Sequence, residues 1–181
     1  MYGIRVKVTT KNLEETYKLA QNFILEFIDT CLAGRQEAPL PPRRNGAFVV
    51  LLKGDLGSGK TSFVQGVARA LGVTEHVTSP TFVILKNYKI FSRPDLKSSK
   101  GLAFENLVHM DAYRLEEEKD LEALDWDKLV LDPQNIMLVE WPEKVGLTKY
   151  PTTKFTFIDE TTRQIDLPDL DIGFPSAKIL S

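Results

Sequence analysis

One octapeptide limits the possible folds of this 181-residue chain more than any other feature: GDLGSGKT, which extends from Gly54 to Thr61. It follows the most apolar run of the chain, 47–52, and a helical pattern of apolar residues begins directly after it. The spacing G-x-x-x-x-G-K-T between a strand and a helix is that of a phosphate-binding loop. Glycines let the backbone wrap around phosphate oxygens, and the N–H groups that open the following helix point at the same anion. We therefore expect a nucleoside triphosphate to bind here.

The residues of this loop have distinct expected roles. Lys60 is expected to reach the β- and γ-phosphates, and the hydroxyl of Thr61 is expected to ligate Mg²⁺. The alternative is a glycine turn that joins a strand to a helix and carries an incidental lysine. The expected nucleotide-binding residues of the loop are Asp55, Leu56, Gly57, Ser58, Gly59, Lys60, Thr61 and Ser62.

Composition sets further limits. With 43% hydrophobic and 27% charged residues, the chain has the composition of a globular protein, and we expect one domain over 1–181. Cys31 is the only cysteine, which excludes an intrachain disulfide and fits a reducing cytoplasm; one cysteine and two histidines do not form a zinc ligand set. No apolar run approaches the roughly 20 residues that span a bilayer, so we expect no membrane segment. A net charge of −2 predicts no DNA binding and leaves RNA only a local patch or a partner.

The apolar periodicity begins with a strand and a helix. Val6 and Val8 indicate a first strand, and Asn12 with Glu15 predicts a capping box at the start of a helix that ends before Gly34. The predicted buried stripe of this helix consists of Leu13, Tyr17, Ala20, Ile24, Phe27 and Cys31.

The rest of the chain predicts an α/β fold with a mostly parallel central sheet, helices on both faces and a C-terminal β-hairpin. The run 47–52 is continuously apolar, as expected for a central strand that is covered on both sides. The remaining predicted elements are a helix over 62–71 stopped by Gly72, strands over 82–90, 107–110 and 136–139, a helix with a solvated acidic face over 116–127, and a hairpin of 155–158 and 164–167. The segments 35–46 and 91–101 are expected to be loops.

Two acids follow predicted strands, Asp111 after 107–110 and Glu140 after 136–139. In open α/β sheets, ligands bind outside the carboxyl ends of the strands. Both carboxylates are therefore expected to converge on the phosphate loop. A structural alternative stands beside each: Asp111 as an N-cap for a helix near Tyr113, and Glu140 as a capping or salt-bridged glutamate.

Four sequence blocks in this order resemble the TsaE (YjeE) family, a P-loop NTPase family of small bacterial ATPases. The blocks are GDLGSGKT, TSPTF at 78–82, HMDAYRL at 109–115 and VEWPEK at 139–144, and the resemblance extends from about Asn12 to Arg163. It implies slow, magnesium-dependent hydrolysis of ATP to ADP and phosphate in the cytoplasm. It further implies a role in forming threonylcarbamoyladenosine in tRNAs that read codons starting with A. The implied partners are TsaB and TsaD, with tRNA involved indirectly.

Carried over to this sequence, the resemblance implies catalytic roles for Lys60, Asp111 and Glu140. Glu140 would complete the metal shell with Thr61, and Asp111 would sense the γ-phosphate or the metal. Arg163 matches a hairpin arginine that can approach nucleotide, although an exposed arginine there needs no function.

The block 78–82 resembles the family's mobile switch, with Thr78, Ser79 and Thr81 as candidate hydroxyl donors. The structural alternative is a Ser-Pro turn before a strand. Trp141 matches a recurrent tryptophan near the nucleotide or a partner, and a core aromatic is the alternative. His109 is expected to be packed rather than catalytic.

Departures from the family pattern are modest. Ser62 stands where a second threonine is usual, and the loops at 35–46 and 91–101 look longer than usual. The second loop lies in a basic stretch, which favours either a solvated loop or a contact with tRNA or a partner. Two rival functions are a small-molecule kinase and a nucleotide-gated assembly module with little hydrolysis. No Asn-Lys-x-Asp or Asp-x-x-Gly motif occurs, which disfavours a GTPase.

Overall fold

The computed structural model describes residues 4–32, 46–91 and 104–168, and these form one seven-stranded sheet with helices. Its elements in chain order are β1 (Ile4–Thr10), α1 (Leu13–Leu32), β2 (Phe48–Lys53), α2 (Lys60–Ala70), β3 (Leu85–Lys89), β4 (Asn106–Asp111), α3 (Trp126–Leu131), β5 (Asn135–Glu140), β6 (Thr152–Phe157) and β7 (Arg163–Pro168). Short 3₁₀ helices span Ala112–Arg114, Glu118–Leu124 and Pro142–Val145.

The strand order is β1-β7-β6-β2-β5-β4-β3. Strands β6, β2, β5 and β4 are parallel to one another, whereas β3, β7 and β1 pair antiparallel at the two edges. This confirms the predicted α/β fold with a parallel centre and a C-terminal hairpin, here β6 and β7. The carboxyl ends of β2, β4, β5 and β6 share one edge of the sheet.

Alternate residues of β2 face the two layers that cover the sheet. Phe48, Val50 and Leu52 pack with α1 and α2, whereas Val49 and Leu51 pack with the core that includes α3 and the 3₁₀ segments. All five side chains are buried. This confirms the prediction that the continuous apolar run is covered on both faces.

Helix α1 begins as the sequence predicts. The carboxamide oxygen of Asn12 accepts the N–H of Glu15 at 2.9 Å, while the Glu15 carboxylate accepts the N–H of Lys11, one residue before the expected partner. The predicted stripe is buried from Tyr17 through Phe27. Leu13 was expected in that stripe, but it is 53% exposed, because the first turn of α1 borders a cavity rather than the sheet. The side chain of Cys31 lies outside the described residues.

The strand predicted over 82–90 is wrong at its start, because β3 begins only at Leu85. The N–H groups of Val83 and Ile84 both donate to the carbonyl of Pro80, which folds 80–84 into a turn and leaves Phe82 exposed. Ile84 takes a left-handed φ of 66°, which is rare for a β-branched residue.

The acidic segment 116–127 was predicted as one helix, but it is a 3₁₀ helix over Glu118–Leu124 that ends before α3. Asp125 adopts a left-handed φ of 54° between the two and interrupts the helical path. The predicted loops 35–46 and 91–101 lie outside the described residues except at their ends, Gly46 and Phe91. Within the described ranges, no helix is long and apolar enough to cross a membrane.

Candidate functional site

The loop between β2 and α2 depends on glycines at two points. A Cβ on Gly54 would lie 2.5 Å from the backbone oxygen of Phe155, so only glycine allows β6 to pass this closely. Gly59, the N-cap of α2, has a left-handed φ of 101°. The loop therefore delivers the free N–H groups of the α2 start into the cavity at the carboxyl edge of the sheet, where an anion is stabilised.

Lys60 is folded back onto this loop. Its side chain is almost fully buried, and its ammonium group donates to the carbonyls of Gly54 at 2.7 Å and Asp55 at 2.9 Å. The same ammonium lies 4.1 Å from the ring centroid of Trp141, which stacks a cation on an aromatic face. The lysine is thus held next to the loop at a place from which it can turn to a phosphate.

Burial lowers the pKa of Lys60, since desolvation disfavours the ammonium form. Nearby carboxylates oppose this effect on the pKa, in decreasing order Glu140, Asp111, Glu143 and Asp55. A bound polyphosphate would add negative charge here and favour the ammonium form further.

Glu140 connects β5 to the loop. The Thr61 hydroxyl donates to Oε1 of Glu140 at 2.8 Å, and Nε2 of His109 lies 2.9 Å from the same oxygen. His109 and Glu140 are both buried, and the burial of His109 agrees with its predicted packing. The hydroxyl and the carboxylate place two hard oxygen ligands beside each other, which suits Mg²⁺.

These oxygens fit Mg²⁺ only as part of a nucleotide complex. No group of three or more His, Cys, Asp or Glu side chains in the described part of the chain could hold a metal ion. Magnesium usually binds through one or two protein oxygens plus substrate phosphates and water. Thr61 and Glu140 match that kind of site.

Asp111 tethers the segment that follows α2. Its Oδ2 accepts the hydroxyls of Ser79 at 2.9 Å and Thr81 at 2.5 Å, and its Oδ1 accepts the N–H of Tyr113 at 3.0 Å. The N-cap interpretation of Asp111 is therefore correct, and the same carboxylate also binds the candidate switch. Thr78 instead accepts a hydrogen bond from Lys86.

Arg163 crosses from the β6–β7 hairpin to the phosphate loop. Its Nε donates to the carbonyl of Gly57 at 3.1 Å, and Nη1 donates to the carbonyls of Asp159 and Thr162. Its aliphatic stem packs next to Gly59. The guanidinium is thus fixed at the edge of the loop.

Most of the predicted site residues line one cavity of about 620 Å³. The predicted residues that line it are Leu56, Gly57, Gly59, Lys60, Thr61, Ser62, Ser79, Thr81, Asp111, Glu140, Trp141 and Arg163. Asp55, Ser58 and Thr78 do not line it, and Ser58 is fully buried.

Six further residues line the cavity but are not predicted as site residues from the sequence. They are Asn12, Leu13, Thr16, Tyr113, Glu160 and Thr161. Tyr113 belongs to the HMDAYRL block, so its sequence neighbourhood pointed to the site. Leu13, in contrast, is predicted as part of the buried stripe of α1. Glu160 and Thr161 lie in the turn of the hairpin, which had no sequence signal beyond its polarity.

Known proteins resemble this chain over most of its length. The family model described as Threonylcarbamoyl adenosine biosynthesis protein TsaE matches residues 10–165. A relative from Nostoc sp. named tRNA threonylcarbamoyladenosine biosynthesis protein TsaE is 34% identical over 124 residues, 66% of this chain and 68% of that protein. A Bacillus subtilis relative of the same name is 42% identical over 93 residues, 51% of this chain and 49% of its own length. The crystal structure of Bacillus subtilis YdiB matches with a TM-score of 0.58 and 27% identity, covering 94% of this chain and 88% of that one.

Proposed function

Since the chain belongs to the TsaE family, we propose that it supports the formation of threonylcarbamoyladenosine in tRNA as a magnesium-dependent ATPase. Its partners in this proposal are TsaB and TsaD, its compartment is the cytoplasm, and the modified tRNAs read codons that start with A. Family membership supports the pathway, and the cavity around the phosphate loop supports the use of a nucleotide.

One observation carries the ATPase part of the proposal: Thr61 and Glu140 share a 2.8 Å hydrogen bond beside Lys60 in the cavity. A hydroxyl at the start of α2 and a carboxylate at the end of β5 are the two protein groups that hold Mg²⁺ in phosphate-loop enzymes. Thr61 and Glu140 would hold the ion, and Mg²⁺ bound there would neutralise charge that develops on the phosphates.

The protein groups then have separate tasks. Lys60 leaves the carbonyls of Gly54 and Asp55 and donates to the β- and γ-phosphates instead. The N–H groups of the loop bind the phosphates. Arg163 stabilises the loop from the hairpin side through its hydrogen bond to the carbonyl of Gly57. Glu140, aligned by His109, orients the attacking water at the γ-phosphate or holds the hydration shell of Mg²⁺.

Asp111 connects nucleotide state to the segment around Ser79 and Thr81. Its Oδ2 holds both hydroxyls in the described conformation. When a nucleotide complex engages Asp111, these hydroxyls become free to reach the γ-phosphate side, which is how switch segments respond to nucleotides. This tether favours, as a second candidate, a nucleotide-gated assembly module in which hydrolysis only resets the switch.

The test measures ATP hydrolysis by the purified chain, alone and with TsaB and TsaD, together with the threonylcarbamoyladenosine formed on tRNA in the same reactions. We expect hydrolysis to rise with the partners, and we expect both hydrolysis and modification to be lost in Lys60→Ala. Lys154→Ala is the matched control, because this exposed lysine of β6 does not line the cavity.

The outcomes separate the candidates. Modification that needs bound ATP but persists when hydrolysis is blocked would favour the assembly module. Hydrolysis that ignores the partners and has no effect on modification would contradict the proposal and favour a kinase with a small acceptor.

A further inference from the structure

The segment 78–84, which contains the candidate switch, is bound at its start by helix α2. Nε2 of Gln65 donates to the carbonyl of Val77, the residue directly before the segment, at 2.9 Å. Gln65 lies four residues after Thr61 and therefore on the same face of α2, but it does not line the nucleotide cavity. The helix that begins at the phosphate loop thus also contacts the base of the segment.

The two neighbours of the Gln65 carboxamide fix its orientation. A backbone carbonyl can only accept a hydrogen bond, so the amide nitrogen must face Val77. The amide oxygen then faces the hydroxyl of Tyr17, which donates to it at 2.9 Å. The opposite orientation would place the amide oxygen against the carbonyl of Val77, and two acceptors repel each other. Only one orientation therefore satisfies both contacts.

Tyr17 is a rigid support for this carboxamide. Its side chain is buried, and its backbone lies where α1 and α2 approach closely, since a Cβ on Gly66 would be 2.8 Å from the Tyr17 carbonyl oxygen. The guanidinium carbon of Arg69 lies 3.9 Å from the centroid of the Tyr17 ring. With its ring held on both sides, Tyr17 presents its hydroxyl to Gln65 in a fixed place.

The hydrogen bond from Gln65 fixes a direction that packing alone leaves free. The Val77 side chain is buried in the core between the sheet and the two main helices, which places the residue but not its carbonyl. This carbonyl and the N–H of Thr78 belong to one planar peptide group. Holding the carbonyl therefore fixes the direction in which the chain enters the segment. Lys86 of β3 adds a second contact there, because it donates to the Thr78 hydroxyl at 2.8 Å.

A fixed start limits where the switch hydroxyls can move. Ser79 is two residues after Val77, and a fully extended chain spans at most about 3.6 Å per residue, so their Cα atoms stay within about 7 Å of each other. This limit holds even when Asp111 releases the segment. Ser79 and Thr81 line the nucleotide cavity, and the restricted start keeps their hydroxyls close to a bound phosphate.

We propose that Gln65 is a positioning residue that acts through Val77. It holds the start of segment 78–84 where Ser79 and Thr81 can respond to a γ-phosphate, and it thereby strengthens the binding of a nucleoside triphosphate but not of a diphosphate. The inference rests on the proposed function, because it requires that the phosphate loop binds nucleotides. It assigns a role in nucleotide discrimination to a residue outside the cavity.

The contact itself is tested without nucleotide, by amide hydrogen exchange over 78–84. Gln65→Glu keeps the shape of the side chain but replaces the donor to Val77 by an acceptor, and Arg69, four residues on, can pair with the new carboxylate and preserve the helix. We expect exchange over 78–84 to become several-fold faster in this variant and in the uncharged Gln65→Met. Gln21→Glu on α1 is the matched control, since Gln21 is also half-buried and lies outside the cavity. Unchanged exchange in both Gln65 variants would overturn the proposal.

The effect on discrimination is tested with dissociation constants of magnesium ADP and of the magnesium complex of adenylyl imidodiphosphate, a triphosphate analogue that resists hydrolysis. In Gln65→Glu and Gln65→Met we expect the affinity for the analogue to fall about fivefold, the scale of one neutral hydrogen bond. ADP affinity should stay unchanged, because the diphosphate depends on the phosphate loop rather than on the segment. Melting temperatures of the variants control for loss of fold.

The outcomes separate this inference from the proposed function. An equal loss of affinity for both nucleotides would show that the substitutions disturb the phosphate loop, and unchanged affinities would show that the segment does not depend on Gln65 for its response; either result overturns the inference. Wild-type protein that binds neither nucleotide would overturn the proposed function. In that case the exchange measurement still decides whether Gln65 holds the segment.

The support from Tyr17 is tested by a double-mutant cycle. Tyr17→Phe removes only the hydroxyl and keeps the ring under Arg69, so we expect a smaller loss of affinity for the triphosphate analogue in the same direction. In a Gln65→Met background the same substitution should have no further effect, because the hydroxyl then has no carboxamide to hold. Additive losses in the double variant would contradict the role of Tyr17 as the support of Gln65.

Discussion

Thr61 and Glu140 are 79 residues apart in the chain, yet a hydrogen bond of 2.8 Å joins their side chains. The sheet produces this relationship, because β2 and β5 are parallel neighbours with Leu52 in register with Glu140. The loop that follows β2 then places the first turn of α2 above the end of β5. The acid at the end of β5 and the hydroxyl that follows the β2 loop are thereby brought into one site.

The first prediction concerns Glu140→Gln. Removal of the charge should lower the hydrolysis rate by about 100-fold or more, as for groups that act in proton transfer or water positioning, while ATP affinity changes little. Single-turnover hydrolysis and equilibrium binding measure the two effects. Glu143→Gln is the control, because Glu143 is a nearby exposed carboxylate outside the cavity. An unchanged hydrolysis rate in Glu140→Gln would assign this glutamate a structural role.

The second prediction concerns His109, which is fully buried and contacts Oε1 of Glu140. We expect His109→Leu to lower kcat about tenfold or more with little change in KM, because the carboxylate loses the group that orients it. His109→Gln retains an N–H donor and should recover part of kcat. Melting temperatures of both variants control for loss of fold. Equal kcat values for the leucine and glutamine variants would contradict a positioning role.

The sequence predicts the strand ends of this site better than its walls. Asp111 and Glu140 were placed correctly, since an apolar run that ends in an acid specifies both the strand and its edge. Leu13 was misplaced, because helical periodicity gives its face but not where the first turn meets the sheet. The turn before β3 was missed as well: the residues around Ile84 have the apolar composition of a strand, and only the carbonyl of Pro80 shows that they fold back.

The third prediction concerns the tether of the candidate switch. In Asp111→Ala, amide hydrogen exchange over 78–84 should become several-fold faster, because the carboxylate that ties both Ser79 and Thr81 to the end of β4 is removed. Mass spectrometry of exchanged peptides measures this rate. Asp132→Ala serves as the control, since Asp132 accepts a backbone N–H in a different turn. Equal protection of 78–84 in wild type and Asp111→Ala would show that the turn is stable without the Asp111 carboxylate.

The fourth prediction concerns the packing of the two main helices. A Cβ on Gly66 would lie 2.7 Å from Cβ of Ala20 and 2.8 Å from the carbonyl oxygen of Tyr17. Gly66→Ala should therefore push α2 away from α1 and lower the free energy of unfolding by about 2 kcal/mol. Urea denaturation measures this loss. Gly146→Ala is the comparison, because its Cβ meets open space and only the left-handed φ of 66° opposes it. Unchanged stability in Gly66→Ala would mean that the helices separate without loss.

The fifth prediction concerns Asp159 and pH. The N–H groups of Thr161 and Thr162 donate to its carboxylate and lower its pKa. A lowered pKa in the folded state means that this contribution to stability is complete above the ordinary pKa of aspartate, about 4. It is then lost as the pH falls through the lowered value.

An NMR titration of the Thr161 and Thr162 amides should therefore show a transition below pH 4 that is absent in Asp159→Asn. The turn also holds Arg163, which donates to the carbonyls of Asp159 and Thr162. Loss of the Asp159 charge should thus shift the Arg163 side-chain resonances over the same pH range. Amide shifts that titrate at the ordinary pKa of aspartate would contradict the charged turn, and Arg163 resonances that stay constant would separate the turn from the phosphate loop.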